Sequence, residues 1–349
     1  MLIIVFVWGH PVRCTINPNV LDNESYKLTK VNKPTSVAVV GGGCAGLEAA
    51  CTAAEVGCAV TLYEKNDHLG GILYDAGKLP AKFRIQEYAQ RCAARAERVG
   101  VNIQLNTEAT DEMLASGGYD LVVNATGSVS KLPPIPGLRE LADKPNSNVY
   151  TIIGFTQHLE ELAERMEDKN VVVMGAGAVG LDVVEHLVEY GAHVTLVDML
   201  PTAGAALDLI TKLQMDEILQ QYHVDTYFST AVAAVASDHV QVRLPDGTEK
   251  TIPMEFGVCA MGMDSVPGPI ANLAESRIPT LNIGDSVRPR RIIDAVLEGR
   301  SILHIRPSRA QDGATQRVNR HLNPVASTLA PVSLMEAHPE SNETAQPRG

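Results

Sequence analysis

Two glycine triplets carry the first chemical signal in this chain. Gly41, Gly43 and Gly46 form one G-x-G-x-x-G pattern, and Gly175, Gly177 and Gly180 form another. Each is followed 18 residues after its third glycine by an acid, Glu64 (64 − 46) or Asp198 (198 − 180). Glycine occupies 28 of 349 positions, so chance supplies roughly 0.2 such patterns in a chain of this length. Two, each with an acid at the same spacing, are not a product of composition. The chemistry they suit is dinucleotide binding. The first glycine allows a tight turn, the second lets a pyrophosphate reach the backbone, and the third lets helix and strand pack closely. The helix that opens there offers unpaired N–H groups and a partial positive charge to phosphates. The carboxylate accepts hydrogen bonds from ribose hydroxyls.

The elements around these residues agree. The apolar run 37–40 precedes the first triplet, a helix over 45–56 stops at Gly57, and a buried strand follows over 59–63. The same order returns as a strand over 171–174, a helix over 178–190 with Gly191 as its stop, and a strand over 193–197. At an offset of 134 (175 − 41), Val37, Val39, Gly41, Gly43, Gly46, Leu47, Gly57, Val60, Thr61 and Leu62 all meet identical residues. A repeat of this kind predicts two Rossmann units. Between them lie a helix over 85–100 and strands over 101–105 and 121–125. Pro133, Pro134, Pro136 and Gly137 then mark a crossing between domains. Asp246-Gly247 predicts a hairpin between 240–244 and 248–252. A strand over 281–283 and a helix near 291–297 follow, then a tail rich in Ser, Pro, Asn and Arg.

Residues 37–71 resemble the FAD-binding segment of the NADH:flavin oxidoreductase and 2,4-dienoyl-CoA reductase family. Asn124-Ala125-Thr126-Gly127-Ser128 resembles that family's ATG motif. Gly284-Asp285, followed by Arg288-Pro289-Arg290-Arg291 and Ile293-Asp294-Ala295, resembles its closing GD motif. The resemblance covers about residues 14–300. It implies an α/β fold of two Rossmann-like domains, the NAD domain inserted into the FAD domain. The implied bounds are a stub and linker at 1–33, an FAD domain at 34–150 and 256–305, an NAD(P)H domain at 151–255 and a disordered tail at 306–349. It implies FAD at Gly41, Gly43, Cys44, Ala45, Gly46, Glu64, Lys65, Gly71, Ala125, Thr126, Gly127, Gly284 and Asp285. The Asp285 position would bind a ribityl hydroxyl, and the helix after it would aim its N-terminus at the flavin C2 carbonyl. NADH falls to Gly175, Gly177, Val179, Gly180, Asp198 and Gly262. The implied reaction is hydride transfer from NADH C4 to flavin N5, with electrons passing on to an acceptor.

Asp198 favours NADH over NADPH. A carboxylate there accepts from a free 2′-OH and repels a 2′-phosphate, and Met199 and Leu200 follow with no adjacent Arg. Full-length members of the family carry a TIM barrel with FMN, and a 4Fe-4S cluster. Cys14-Thr15-Ile16-Asn17-Pro18 matches the last cluster cysteine, yet residues 1–13 hold no cysteine. FMN, the cluster and any other metal are therefore expected to be absent from this chain. In the resembling family the acceptor is an FMN barrel that reduces enoyl thioesters or enones. Here it could be a separate barrel protein. Two other readings stay open: a self-contained diaphorase or NADH oxidase, and a truncated nucleotide-binding remnant.

Composition sets the outer bounds. Hydrophobic residues make up 45% and charged residues 20%, which excludes a chain disordered throughout. The net charge of −12, with no local basic patch, excludes nucleic acid and anionic membranes as partners. The apolar start, residues 1–8, is too short to span a bilayer. The six cysteines, at 14, 44, 51, 58, 92 and 259, show no CxxC or CxxxxC redox pair, so a reducing cytoplasm is the expected compartment. Cys44, Cys51 and Cys58 recur every seven residues, but Cys58 lies past Gly57 and off the helix. Cys44 is expected to be a small buried residue. His158, His186, His193 and His223 read as structural or surface residues, and Asp182 as either a nicotinamide-ribose contact or an exposed helix acid. No side chain stands out as a general acid or base.

Overall fold

The computed structural model describes residues 2–3, 13–20, 26–269, 273 and 278–303. The expected tail at 306–349 and most of the apolar start lie outside the described residues. Strand β1 (Ser36–Val40) is buried on both faces, which is why it reads as an unbroken apolar run. Val37 and Val39 share a core with Ala49, Ala50 and Ala53 of helix α1 (Cys44–Glu55), while Ala38 and Val40 pack with Leu114 and Val122. The small residues of α1 let that helix lie close to the sheet. Strand β2 (Ala59–Tyr63), helix α2 (Phe83–Arg98), strand β3 (Asn102–Gln104) and strand β4 (Leu121–Asn124) complete the first pass.

The chain then crosses over through β5 (Ser128–Ser130) and builds a second parallel sheet. Its members are β6 (Val149–Thr151), β7 (Asn170–Met174), then helix α3 (Ala178–Glu189), β8 (His193–Val197) and β9 (Asp225–Tyr227). An antiparallel three-stranded sheet follows: β10 (Ala231–Val235), β11 (His239–Arg243) and β12 (Glu249–Pro253). The last two are joined at Asp246-Gly247, where Gly247 takes φ +85° and Asp246 accepts from Thr248 N–H at 2.8 Å. Strand β13 (Phe256–Cys259) closes the second sheet in the order β9-β8-β7-β13-β6, all parallel.

The return runs through β14 (Met263–Ser265), antiparallel to β5, so the two crossings between the units lie side by side. Strand β15 (Thr280–Asn282) then joins the first sheet beside β4, giving β15-β4-β1-β2-β3, and helix α4 (Ile292–Arg300) packs on α1. The second unit is thus inserted into the first, as the resemblance implied. Its sheet takes in 149–151 and 256–259.

Candidate functional site

The two glycine turns share the same backbone hydrogen bonds. Gly41 (φ +103°) and Gly175 (φ +115°) adopt a conformation that favours glycine. Their amides donate to Tyr63 O and Val197 O, each at 2.8 Å. A side chain on Gly41 would strike the Ala125 carbonyl, and one on Gly175 the Ala260 carbonyl. Gly46 and Gly180 lie against the carbonyls of Gly41 and Gly175, which brings each helix onto its turn. Gly43 and Gly177 are different: a Cβ on either would meet no atom of the described residues within 4 Å. Both are helix N-caps, neither helix has a side-chain cap, and the first-turn N–H groups of α1 and α3 thus open onto free space. That is the cradle a pyrophosphate needs, and the residues present fit a dinucleotide at both turns.

The acids hold these turns in place. Glu64, buried, accepts from Gly42 N–H at 2.7 Å and from Asn66 N–H at 2.9 Å. Asp198 accepts from Ala176 N–H at 2.5 Å and from Leu200 N–H at 2.7 Å. Each carboxylate is thereby fixed at the strand end, within reach of the turn it anchors. A second brace was missed in the sequence: Gly70 N–H donates to Gly42 O at 2.9 Å, and Gly204 N–H donates to Ala176 O at 2.8 Å. Gly70 and Gly204 are related by the same offset of 134 (204 − 70), so extending the repeat would have found the pair. Gly71 (φ +54°) sits against the Cα of Gly43. Ala260-Met261-Gly262 stands to the second turn as Ala125-Thr126-Gly127 stands to the first, with Gly127 at φ +79° and Gly262 at φ +102°. Lys65 is exposed beside Glu64, and Val179 is exposed in the first turn of α3.

The GD residues close the first cradle. Gly284 (φ +66°) lies against the side chain of Ala45 at the start of α1. The carboxylate of Asp285 accepts from Ser128 Oγ at 3.0 Å and from Arg290 N–H at 3.1 Å. Thr126 Oγ1 donates to Val266 O at 2.6 Å and ties the ATG segment to the returning chain.

Other expected residues resolve differently. Asp182 is not an exposed helix acid: it is half-buried and forms an ion pair at 2.8 Å with Lys82 of the first unit, and burial holds its carboxyl above the ordinary range while Lys82 pulls it back. His186 is buried near Phe155 and Tyr190 with no hydrogen-bond partner for either ring nitrogen among the described residues, and burial draws its pKa down to about 4. Cys44 is half-buried at the start of α1, and burial with Cys92 nearby pushes its thiol up, the opposite of an activated nucleophile. All six cysteines are free, and no group of three or more His, Cys, Asp or Glu among the described residues is gathered as a metal would need.

A doubly nucleotide-binding α/β oxidoreductase is the class this fold and site define. The chain belongs to the pyridine nucleotide-disulphide oxidoreductase family, whose model matches residues 19–117 and 110–273. It is thus a member of the FAD-dependent NAD(P)H oxidoreductases. It is 32% identical over 293 residues to an NADH oxidase of Thermoanaerobacter brockii, covering 82% of this chain and 44% of that protein. A solved 2-naphthoyl-CoA reductase superposes with a TM-score of 0.73 at 25% identity, over 83% of this chain and 43% of that one. Histamine dehydrogenase from Rhizobium sp. 4-9 shares the fold, with a TM-score of 0.71 at 22% identity over 87% of this chain and 48% of the other. The chain spans less than half the length of these relatives. No described helix is long and apolar enough to cross a membrane.

Proposed function

We infer that the first cradle binds FAD, the second binds NADH, and the chain passes electrons from NADH to an acceptor outside it. The observation that carries this reading is the pair of like-built cradles in one chain, only one of which is closed by Gly284-Asp285. Hydride transfer is the chemistry the bound cofactors supply. The chain's own residues bind and orient. The amides of α1 and α3 hold pyrophosphates, Glu64 and Asp198 hold ribose hydroxyls, and Asp285 holds a ribityl hydroxyl. Asp198 selects NADH over NADPH, since Met199 and Leu200 beside it bring no cation to a 2′-phosphate.

Relatives named cinnamate reductase and 2-naphthoyl-CoA reductase favour an FMN-barrel acceptor that reduces unsaturated acids or thioesters. The relative named NADH oxidase favours the second reading, direct donation to oxygen, quinones or dyes. The test is anaerobic: extract and identify the pigment, then add NADH to the purified protein. FAD that bleaches with NADH is the expected result. Recovery of FMN alone, or no bleaching, overturns the reading.

A further inference from the structure

Glu298 sits in the last turns of α4 with 7% of its surface exposed. Its Oε2 accepts from Gly284 N–H at 2.7 Å, and its Oε1 pairs with the Arg290 guanidinium at 2.6 Å. Arg290 donates its own backbone N–H to Asp285 at 3.1 Å and lays its guanidinium against the carbonyls of Arg288 at 3.2 Å and Gly284 at 3.5 Å. One carboxylate thus grips the residue before Asp285 and also the residue whose amide orients Asp285. The neighbouring Gly299 packs on the Ala45 carbonyl and the Ala49 amide, and Gly284 packs on Ala45. The start of α1 and the Asp285 loop therefore meet at this one point.

A buried ion pair is a poor way to glue helices, because desolvation offsets most of its attraction and an apolar pair of similar volume serves as well. Burial does push the Glu298 carboxyl up, with Arg290 pulling it back. The charges are better explained by what lies next to them. We propose that Glu298 and Arg290 are positioning residues of the FAD site: together they fix Asp285 against the start of α1, and their paired charges cancel one another there. This rests on the reading that the first cradle holds FAD.

The pair makes a prediction that mere scaffolding does not. Glu298→Gln keeps an acceptor for Gly284 N–H but leaves the Arg290 charge uncompensated, which favours the more negative, reduced cofactor. Arg290→Gln, studied at a pH high enough to keep Glu298 ionised, leaves the Glu298 charge alone and disfavours it. Equilibration of each FAD-loaded variant with a dye of known potential should show the reduction equilibrium moving in opposite directions. The expected size is about tenfold each way, about 30 mV for a two-electron couple. Titration of the apoprotein, read by quenching of flavin fluorescence, should show FAD binding weakened about tenfold in both. The double variant Glu298→Gln/Arg290→Gln removes both charges, so it should return the potential to the wild-type value while binding stays weak. Potentials that shift the same way in both single variants, or do not shift, overturn the proposal. Wild-type protein that fails to quench flavin fluorescence overturns the FAD reading itself, which separates the two failures.

Discussion

Replacing Asp198 by Ala tests how the second cradle chooses its nucleotide. The carboxylate accepts from Ala176 N–H at 2.5 Å and Leu200 N–H at 2.7 Å, so the variant leaves two amides without their partner. Hydrogen bonds to a charged group are worth about 1.5–3 kcal/mol, and Asp198 is only half-buried, so about 2 kcal/mol of turn stability is at stake. That loss falls on NADH and NADPH alike. The ratio between them moves for other reasons. NADH also loses a bond to its 2′-OH, about 1.5–3 kcal/mol. NADPH is relieved of a repulsion worth about 1 kcal/mol for unit charges 4 Å apart in water. Together these shift the preference by about 3 kcal/mol, roughly 100-fold in favour of NADPH. Anaerobic stopped-flow reduction of the flavin with each nucleotide measures it, with Glu64→Ala as the control that should lower FAD retention and leave the ratio alone. A wild type reduced faster by NADPH, or an Asp198→Ala ratio equal to wild type, would refute the assignment.

The open space at Gly43 and Gly177 predicts a split between folding and binding. Gly43→Val should fold but lose FAD, and Gly177→Val should keep FAD but lose its response to NADH. Gly46→Ala, whose Cβ would strike the Gly41 carbonyl, should instead unfold more easily by about 1–3 kcal/mol in a denaturant titration. Iron and sulfide assays on anaerobically purified protein should find less than one iron per chain. About four irons, abolished by Cys14→Ser, would sink that expectation. His186 gives a pH signature: its folded pKa, about 4, lies below the ordinary 6.5, so its stabilising contribution is complete above 6.5 and is lost as pH falls toward 4. The loss amounts to roughly 3 kcal/mol, and His186→Phe should flatten that part of the stability profile. An unchanged slope would show that His186 is not the group responsible.

What could be read ahead of the structure was what depends on neighbours in sequence. A run such as Val37–Val40 followed by Gly41 announces a buried strand and its turn, because each residue's role is set within one or two positions of it. The matching helices and the Asp246-Gly247 hairpin were legible for the same reason. The three residues of β6, Val149–Thr151, are too few to show a period, so the second sheet's first strand was not legible. The second copy of the ATG motif was hidden by a single added residue: Ala260 follows Ala125 by 135 positions, whereas Gly175 follows Gly41 by 134. The partner of Asp182 could not be read from its helix or its motif, because Lys82 lies 100 positions upstream (182 − 82).

Glu298 is the clearest case of this kind. An acid near the end of a helix ordinarily faces water, and its spacing says nothing else. It becomes informative only once α4 is seen to lie on α1, with Gly299 admitting the close approach and Gly284 presenting its amide to the carboxylate. The glycines of the turns were readable because they do their work locally. The Glu298 charges act within their own segment, on Gly284 and Arg290, but the glycine contacts that seat that segment on Ala45 at the start of α1 act across the whole inserted unit. A sequence pattern with a fixed period has no way to encode such a contact, so the pieces that complete the first cradle appear only when its two ends are brought together.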